Sequence, residues 1–388
     1  MKLQAIQKYL QEHDINGWLL ADFHGYNSVF VELLGIGNML TRRSFFYIPA
    51  KGDATAIVHA IEQERFKSLE ADLVTYSSYV QFESELRKLI KKGERIAMEY
   101  SPNGRLPYIA IVDAGTIELV RSCGADIVSS ADIVSNFQAR LDINKIATHR
   151  TAARNLFEIK DKAFSLISQR LKEKKAVTEF EISQFMLKQF DEYGMEADHP
   201  PNCSFAANAG NPHYEPSNEK TATLNEGEIV LIDLWAKLKV ENAVFADICW
   251  IAYAGNKIPD RFEKKFAVIA NARDTAIQFL RENISNRPVY GYEVDDVSRQ
   301  SVVADGFGAN FTHRTGHSIT TTVHGNGPNI DNLETEDRRV LQEGHLFSIE
   351  PGVYFDDFGM RTEVDVLISD DGIELNPSPV QKEIIALL

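Results

Sequence analysis

A chain of 388 residues, 44% of them hydrophobic, is long enough for two or three domains with sizeable buried cores. Its formal net charge is -15, and no Lys/Arg run exceeds "KKGER" or "KEKK", which argues against a nucleic-acid or anionic-membrane surface. Cys123, Cys203 and Cys249 are widely separated and form no CxxC, pointing to reduced thiols in a cytosol-like compartment.

The opening "MKLQAIQKYLQEHDING" reads as an amphipathic helix with Leu3, Ile6 and Leu10 on one face, not as a signal peptide. No apolar run approaches the roughly 20 residues that span a bilayer. A soluble, cytoplasmic protein without membrane or nucleic-acid partners is expected. "GWLLADF" (17–23) predicts a short strand, and "RRSFFYIPAKGDATAIVHA" (42–60) two strands about a Lys-Gly-Asp turn. "FESELRKLI" is helical, "RIAMEY" and "GADIVSS" are strand-like, and "ADIVSNFQARL" is helical. Residues 1–140 therefore read as an α/β domain with a mixed sheet.

From residue 141 the texture changes. "INKIATHRTAARNLFEIKDKAFSLISQRLKE" is a long helical run free of Gly and Pro. "TEFEISQFMLKQFDEYG" opens on a capping box, Thr178 and Glu181, and stops at Gly194. Further helices cover "DRFEKKFAVIANARDTAIQFLREN" and "EVDDVSRQSVVADG", while 202–255 and 310–388 read as β-rich. Residues 141–388 thus form a second, α+β domain.

Four acids of this domain sit in apolar strand contexts: Asp233 in "EIVLIDLWAKL", Asp247 in "AVFADICWIAY", Glu350 in "HLFSIEPGVYF" and Glu363 in "GMRTEVDVLIS". A carboxylate at the end of an apolar strand is costly to bury unless it is paired, hydrogen-bonded or metal-bound. Any one alone reads as a capped or solvent-facing acid. Four together, with His313, His317 and His324 clustered in "FTHRTGHSITTTVHGNGP", point instead to a site. Mixed carboxylate and imidazole donors suit Mn²⁺, Co²⁺ or Zn²⁺, and four carboxylates with one imidazole can hold two such ions. Trp235 and Trp250, each close after an aspartate, read as core. His13, His24, His59, His149, His199 and His345 read as surface or structural.

These segments resemble the pita-bread metallopeptidases, which include methionine aminopeptidase, aminopeptidase P and prolidase. The likeness is greatest to the Xaa-Pro branch, whose ligands run Asp, Asp, His, Glu, Glu. The matching residues are Asp233, Asp247, His317, Glu350 and Glu363, in the contexts "HRTGH", "SIEPGVY" and "GMRTE". "RRSFFYIPAKGDATAIVHAIE" is similar to the creatinase/prolidase N-terminal domain, so the resemblance covers nearly the whole chain. It implies a creatinase/prolidase-like domain at 1–140 and a pita-bread catalytic domain at 141–388. It further implies two divalent metal ions, Mn²⁺ before Co²⁺ or Zn²⁺, and a homodimer that hydrolyses Xaa-Pro bonds of short peptides through a metal-bridging hydroxide. By position it gives catalytic roles to His213 (in "NPHYEP"), His313, His324, Glu350 and Arg361. Glu350 would serve as ligand and general base, and His213 and His324 as donors to the oxyanion. His313 and Arg361 match residues of the proline-specific members. Taken without the family, His324 is equally a turn residue and His213 a loop residue. His313 is then a partner of a nearby carboxylate, and Arg361 an ion-pair partner of Asp233 or Glu363.

Three departures from the common pattern bear on substrate preference more than on metal binding. The Asp233–Asp247 stretch is longer than usual, Ser318 stands where glycine is commoner, and Gly325 where glutamate is frequent. A hairpin would absorb the extra residues in its loop. The alternative reading is a metal-free relative, a creatine hydrolase or a non-catalytic binding protein, but such members have lost ligands. A methionine aminopeptidase is disfavoured by the large N-terminal domain and the His313/Arg361 pair.

Overall fold

The computed structural model describes residues 3–37 and 40–388; Met1 and Lys2 of the predicted opening helix lie outside the described residues. The chain divides into two compact units, Met1–Gln138 and Ala139–Leu388.

The first unit is built on a six-stranded sheet in the order β4-β3-β2-β1-β5-β6. Its strands are β1 (Gly17–Asp22), β2 (Ser44–Pro49), β3 (Thr55–His59), β4 (Asp72–Tyr76), β5 (Arg95–Met98) and β6 (Asp126–Ser129). β2 runs antiparallel to β1 and β3, while β1–β5, β3–β4 and β5–β6 are parallel, giving the mixed sheet that the sequence predicted. Every residue of β1 is buried, as its unbroken apolar run requires of a central strand covered on both faces. Helices α1 (Leu3–Glu12), α2 (Ser28–Leu34), α3 (Tyr79–Leu89), α4 (Ala114–Ser122) and α5 (Ala131–Phe137) flank it. Ile6 and Leu10 of α1 are buried, as predicted. The sequence pattern missed α2, α4 and β4. α2 is a single β-branched-rich stretch, held by the Asn27 cap and ended by Gly35 at φ 62°. β4 is a half-exposed edge strand with little alternation to read.

The second unit begins with the 30-residue helix α6 (Ile143–Lys172) and α7 (Glu179–Glu192), whose Thr178/Glu181 capping box forms as predicted. Both cover one face of a sheet ordered β16-β10-β9-β7, in which β8 also pairs β9. Its strands are β7 (Met195–Glu196), β8 (Asn202–Phe205), β9 (Ile229–Leu238), β10 (Ala246–Tyr253) and β16 (Ile385–Ala386). β9 and β10 are an antiparallel hairpin, so the extra residues between Asp233 and Asp247 do sit in its loop. Helices α8 (Asp260–Asn283) and α9 (Gly291–Ala304) follow. Two small sheets complete the unit: β11 (Leu346–Ile349), β14 (Val364–Ser369) and β15 (Gly372–Asn376) form one, and β12 (Gly352–Tyr354) and β13 (Gly359–Arg361) the other.

The β-rich expectation for 310–388 holds only from 346 onward. Between 311 and 345 the chain forms turns and isolated bridges, because Asp and Asn side chains compete for its backbone. Asp331, for instance, accepts from the amides of Leu333, Glu334 and Thr335. Among the described residues no helix is long and apolar enough to cross a membrane.

Candidate metal centre

The β9–β10 hairpin sets two of the acids. Asp247 lies opposite Trp235, and Cys249 opposite Asp233, so Asp233 and Asp247 project from one face of the ladder while Ile232, Leu234, Ile248 and Trp250 fill the core behind it. Trp250 is a core residue as predicted; Trp235 is only half-buried and belongs to the ligand face. His317 comes from the irregular segment, which is pinned to β11: its amide donates to Ser348 Oγ at 3.0 Å, and the Ser348 amide returns to the His317 carbonyl at 2.9 Å. Gly316 permits this approach, since a Cβ there would lie 1.8 Å from the Ser348 carbonyl oxygen. Glu350 leaves the end of β11, with its amide on the Thr315 carbonyl at 2.7 Å. Glu363 bridges β13 and β14, and its amide reaches the Cys249 carbonyl at 3.2 Å.

Together these elements bury Asp233, Asp247, His317 and Glu363 almost completely and Glu350 largely. Asp247, His317 and Glu363 each offer a donor atom, and the three atoms lie within 4.8 Å of one another. His317 Nε2 is 3.6 Å from Asp247 Oδ2 and 3.5 Å from Glu350 Oε1. Arg361 pairs with Asp233, and its Nε lies 3.6 Å from Glu350 Oε2. Of the two ion-pair partners that the sequence offers Arg361, Asp233 and Glu363, it takes Asp233, and the pair is part of the cluster's construction.

The electrostatics show an unbalanced site. Burial, then the Asp233 and Glu350 charges, push the Asp247 carboxyl well above its usual range. Burial, then Asp247, do the same to Glu363. Burial raises Asp233 too, against the pull of Arg361. Burial also pushes Glu350 up, but His317 and Arg361 leave it below its ordinary value. Oδ1 of Asp247 and Oε1 of Glu363 are buried and have no hydrogen-bond partner. Unpartnered oxygens on buried carboxylates that crowd an imidazole are what a divalent cation satisfies, so this donor set fits one.

The other predicted residues divide. His313 donates from Nδ1 to the Arg314 carbonyl at 2.7 Å, which leaves Nε2 to accept from Tyr354 Oη at 2.9 Å; Arg361 Nη1 in turn donates to that oxygen at 3.1 Å. A row His313–Tyr354–Arg361 therefore ends on the acids. Tyr354 lies in the "SIEPGVY" segment, where no local pattern of side chains signals this role. His324 sits at the solvent edge with its ring edge-on to His317 at 4.4 Å. Partial desolvation, then His317 and Arg314, lower its imidazole to about 4. His213 lies on an exposed turn with its amide on Asn211 Oδ1, and its side chain joins none of these contacts. Sequence reasoning also missed Asp295 and Arg299 of α9. Asp295 accepts from the Thr315 amide and hydroxyl at 2.9 and 2.6 Å, and Arg299 donates to the His313 carbonyl at 2.8 Å, so the pair clamps the histidine segment. The two departures Ser318 and Gly325 prove to be one steric unit: a Cβ at 325 would meet Thr320 Cγ2 at 2.8 Å and Ser318 Oγ at 3.1 Å.

The profile of metallopeptidase family M24 matches residues 151–370, more than half of the chain and the whole of this cluster. The chain belongs to metallopeptidase family M24. An uncharacterized peptidase of Schizosaccharomyces pombe is 31% identical over 199 residues, covering 51% of this chain and 42% of that protein. The matched segments span 62–63% of the length of other curated relatives. Among solved structures, dipeptidase PepE from Mycobacterium ulcerans superposes with a TM-score of 0.77 at 18% identity, covering 99% of this chain and 96% of that one. A prolidase from Thermococcus sibiricus does so with 0.69 at 22% identity, covering 99% and 98%. The M24 chain therefore has the predicted α+β architecture, the pita-bread fold with its preceding α/β unit.

Proposed function

We propose that this protein is a dinuclear metal-dependent exopeptidase that hydrolyses Xaa-Pro bonds of short peptides. The observation that carries the reading is the burial of four carboxylates around His317 with oxygens of Asp247 and Glu363 left unpartnered. Asp233, Asp247, His317, Glu350 and Glu363 would hold two divalent cations, Mn²⁺ first and Co²⁺ or Zn²⁺ next. When bound, such ions polarise a carbonyl and make a water molecule more acidic.

The chain's own groups supply the rest. Glu350, the one acid of the four held below its ordinary pKa, is ionised at neutral pH and takes the proton of the attacking water, then passes it to the leaving nitrogen. His324, lowered to about 4, is neutral at pH 7 and offers an N–H to the developing oxyanion from the solvent edge. His213 is the second donor by family position, reached from its exposed turn. Arg361, fixed by Tyr354 and His313, aligns Asp233 and Glu350. The proline preference rests on the His313 and Arg361 positions and on structural likeness to a prolidase. A homodimer in the cytoplasm completes the proposal.

The test is cleavage of Gly-Pro, Gly-Pro-Ala and Met-Ala-Ser before chelation, after chelation and after return of Mn²⁺, with metal analysis of the purified protein. Loss on chelation, recovery with Mn²⁺ and preference for the proline peptides are expected. Activity indifferent to chelator removes the metal role, and preference for Met-Ala-Ser removes the proline assignment.

A further inference from the structure

His213 stands in a chain excursion, residues 206–221, that leaves the sheet at the end of β8 and returns beside the start of α7. A single carboxylate closes its base. Glu179, the first residue of α7 and fully buried, accepts from the Phe205 amide on Oε1 and from the Ala222 amide on Oε2, each at 2.7 Å. Its own amide donates to the Ala222 carbonyl at 3.2 Å. Two side chains within the excursion reach the same group: Asn208 Nδ2 donates at 3.0 Å and the Tyr214 hydroxyl at 2.6 Å. Tyr214 is buried and its neighbour His213 is exposed, so the residue beside the imidazole is the tethered one.

The backbone is strained where the carboxylate grips it. Ala206 lies at φ 44°, in the left-handed region that a side chain disfavours. The 3₁₀ turn Ala206–Gly210 then presses on the β12–β13 hairpin: a Cβ at Gly210 would lie 2.3 Å from the Phe355 carbonyl oxygen, and one at Gly359 1.9 Å from the Ala209 carbonyl oxygen. That hairpin carries Tyr354 and Arg361. The helix itself does not need Glu179, because Thr178 and Glu181 already form its capping box. A buried carboxylate is unfavourable unless donors surround it, and the four groups that donate here all belong to the excursion or its two ends. Its bonds therefore serve the excursion, as in compact surface loops whose ends are held together.

We infer that Glu179 is a positioning residue for the reaction: it fixes the base of the 206–221 excursion and, through Tyr214, the place from which the His213 imidazole reaches the site. The inference rests on the exopeptidase reading above, in which His213 donates to the oxyanion. Glu179 touches neither substrate nor metal and acts on turnover only through His213.

Wild type, Glu179→Gln, Tyr214→Phe, His213→Ala and the double variants with His213→Ala are loaded with Mn²⁺ and assayed on whichever of Gly-Pro, Gly-Pro-Ala and Met-Ala-Ser wild type cleaves. His213→Ala is expected to lower kcat roughly a hundredfold, the loss for an oxyanion donor. Glu179→Gln is expected to lower kcat roughly tenfold, to leave KM and Mn²⁺ affinity within about twofold, and to add nothing once His213 is alanine. Tyr214→Phe keeps both amide bonds at the base; it is expected to lower kcat roughly fivefold, the worth of one hydrogen bond, and it takes over the cycle if the glutamine variant does not fold. Equal losses with and without His213, losses in KM or Mn²⁺ affinity in place of kcat, or an unchanged kcat in Glu179→Gln and Tyr214→Phe overturn the inference. So does a His213→Ala protein as active as wild type, which leaves the peptidase reading standing. If wild type cleaves none of the peptides, that reading fails, and ¹⁵N relaxation of the His213 amide in the metal-free proteins decides: greater motion in Tyr214→Phe sustains the tether, and equal motion overturns it.

Discussion

His149 lies at the back of the site, and its chemistry fixes how the second unit responds to acid. The imidazole, on α6, is fully buried; Nδ1 donates to the Phe245 carbonyl at 2.8 Å, and Nε2 has no partner. Protonation would place an N–H with no acceptor in the core. Burial lowers this pKa from 6.5 to about 4. A lowered imidazole stays neutral when folded, while the unfolded chain takes up a proton near 6.5. Stability is therefore complete above that value and falls as pH drops toward 4. The linkage relation gives a loss of about 2 kcal/mol between pH 7 and pH 5, and about 3 kcal/mol in full. In His149→Asn, the amide nitrogen occupies the Nδ1 position and nothing titrates. The variant loses some stability to the smaller side chain, but equally at both pH values. Urea unfolding of both proteins at pH 7 and pH 5 reads the difference. Asp365, pushed up by its own burial, acts oppositely, and its Oδ2 lies 3.9 Å from His149 Nδ1, so Asp365→Asn and the double variant are melted alongside to separate the two contributions. Parallel pH dependence in the two proteins, or an NMR titration showing His149 protonated above pH 6, would refute the reasoning.

Three other outcomes follow from the cluster. Asp247→Asn removes a buried acid crowded by Asp233 and Glu350, so it should stabilise the metal-free protein by about 1–3 kcal/mol in urea melts and abolish the stabilisation by Mn²⁺. Mn²⁺ at a hundred times its Kd should raise the unfolding free energy of wild type by about 2.7 kcal/mol, an effect that chelator reverses and that a protein without a cation site would not show. Gly325→Ala should cost about 1–3 kcal/mol by overpacking against Thr320 and Ser318, with part of that loss recovered in a Ser318→Gly background; strictly additive urea midpoints would contradict the shared steric unit.

Long, strongly patterned elements were legible in the chain alone. α6, α7 and α8 announced themselves through helical periodicity, a capping box and the absence of glycine and proline. The apolar runs around Asp233 and Asp247 marked β9 and β10 because a strand must explain its buried neighbours. Short elements such as α2 and β4 were not legible, since their stability comes from caps and from neighbours rather than from their own pattern.

Residue identity and context marked Asp233, Asp247, Glu350 and Glu363 and the cluster His313, His317 and His324 as worth collecting, because lone acids in apolar runs demand partners, and the family resemblance singled out His317. Only the folded chain decided which atoms meet. Strand register turned Trp235 from a supposed core residue into a neighbour of the acids, and placed Asp198 on its indole. Backbone hydrogen bonds between distant segments brought His317 to β11, and a tyrosine hydroxyl joined His313 to Arg361. Such contacts depend on geometry between elements far apart in the chain, and no local pattern of side chains carries that information.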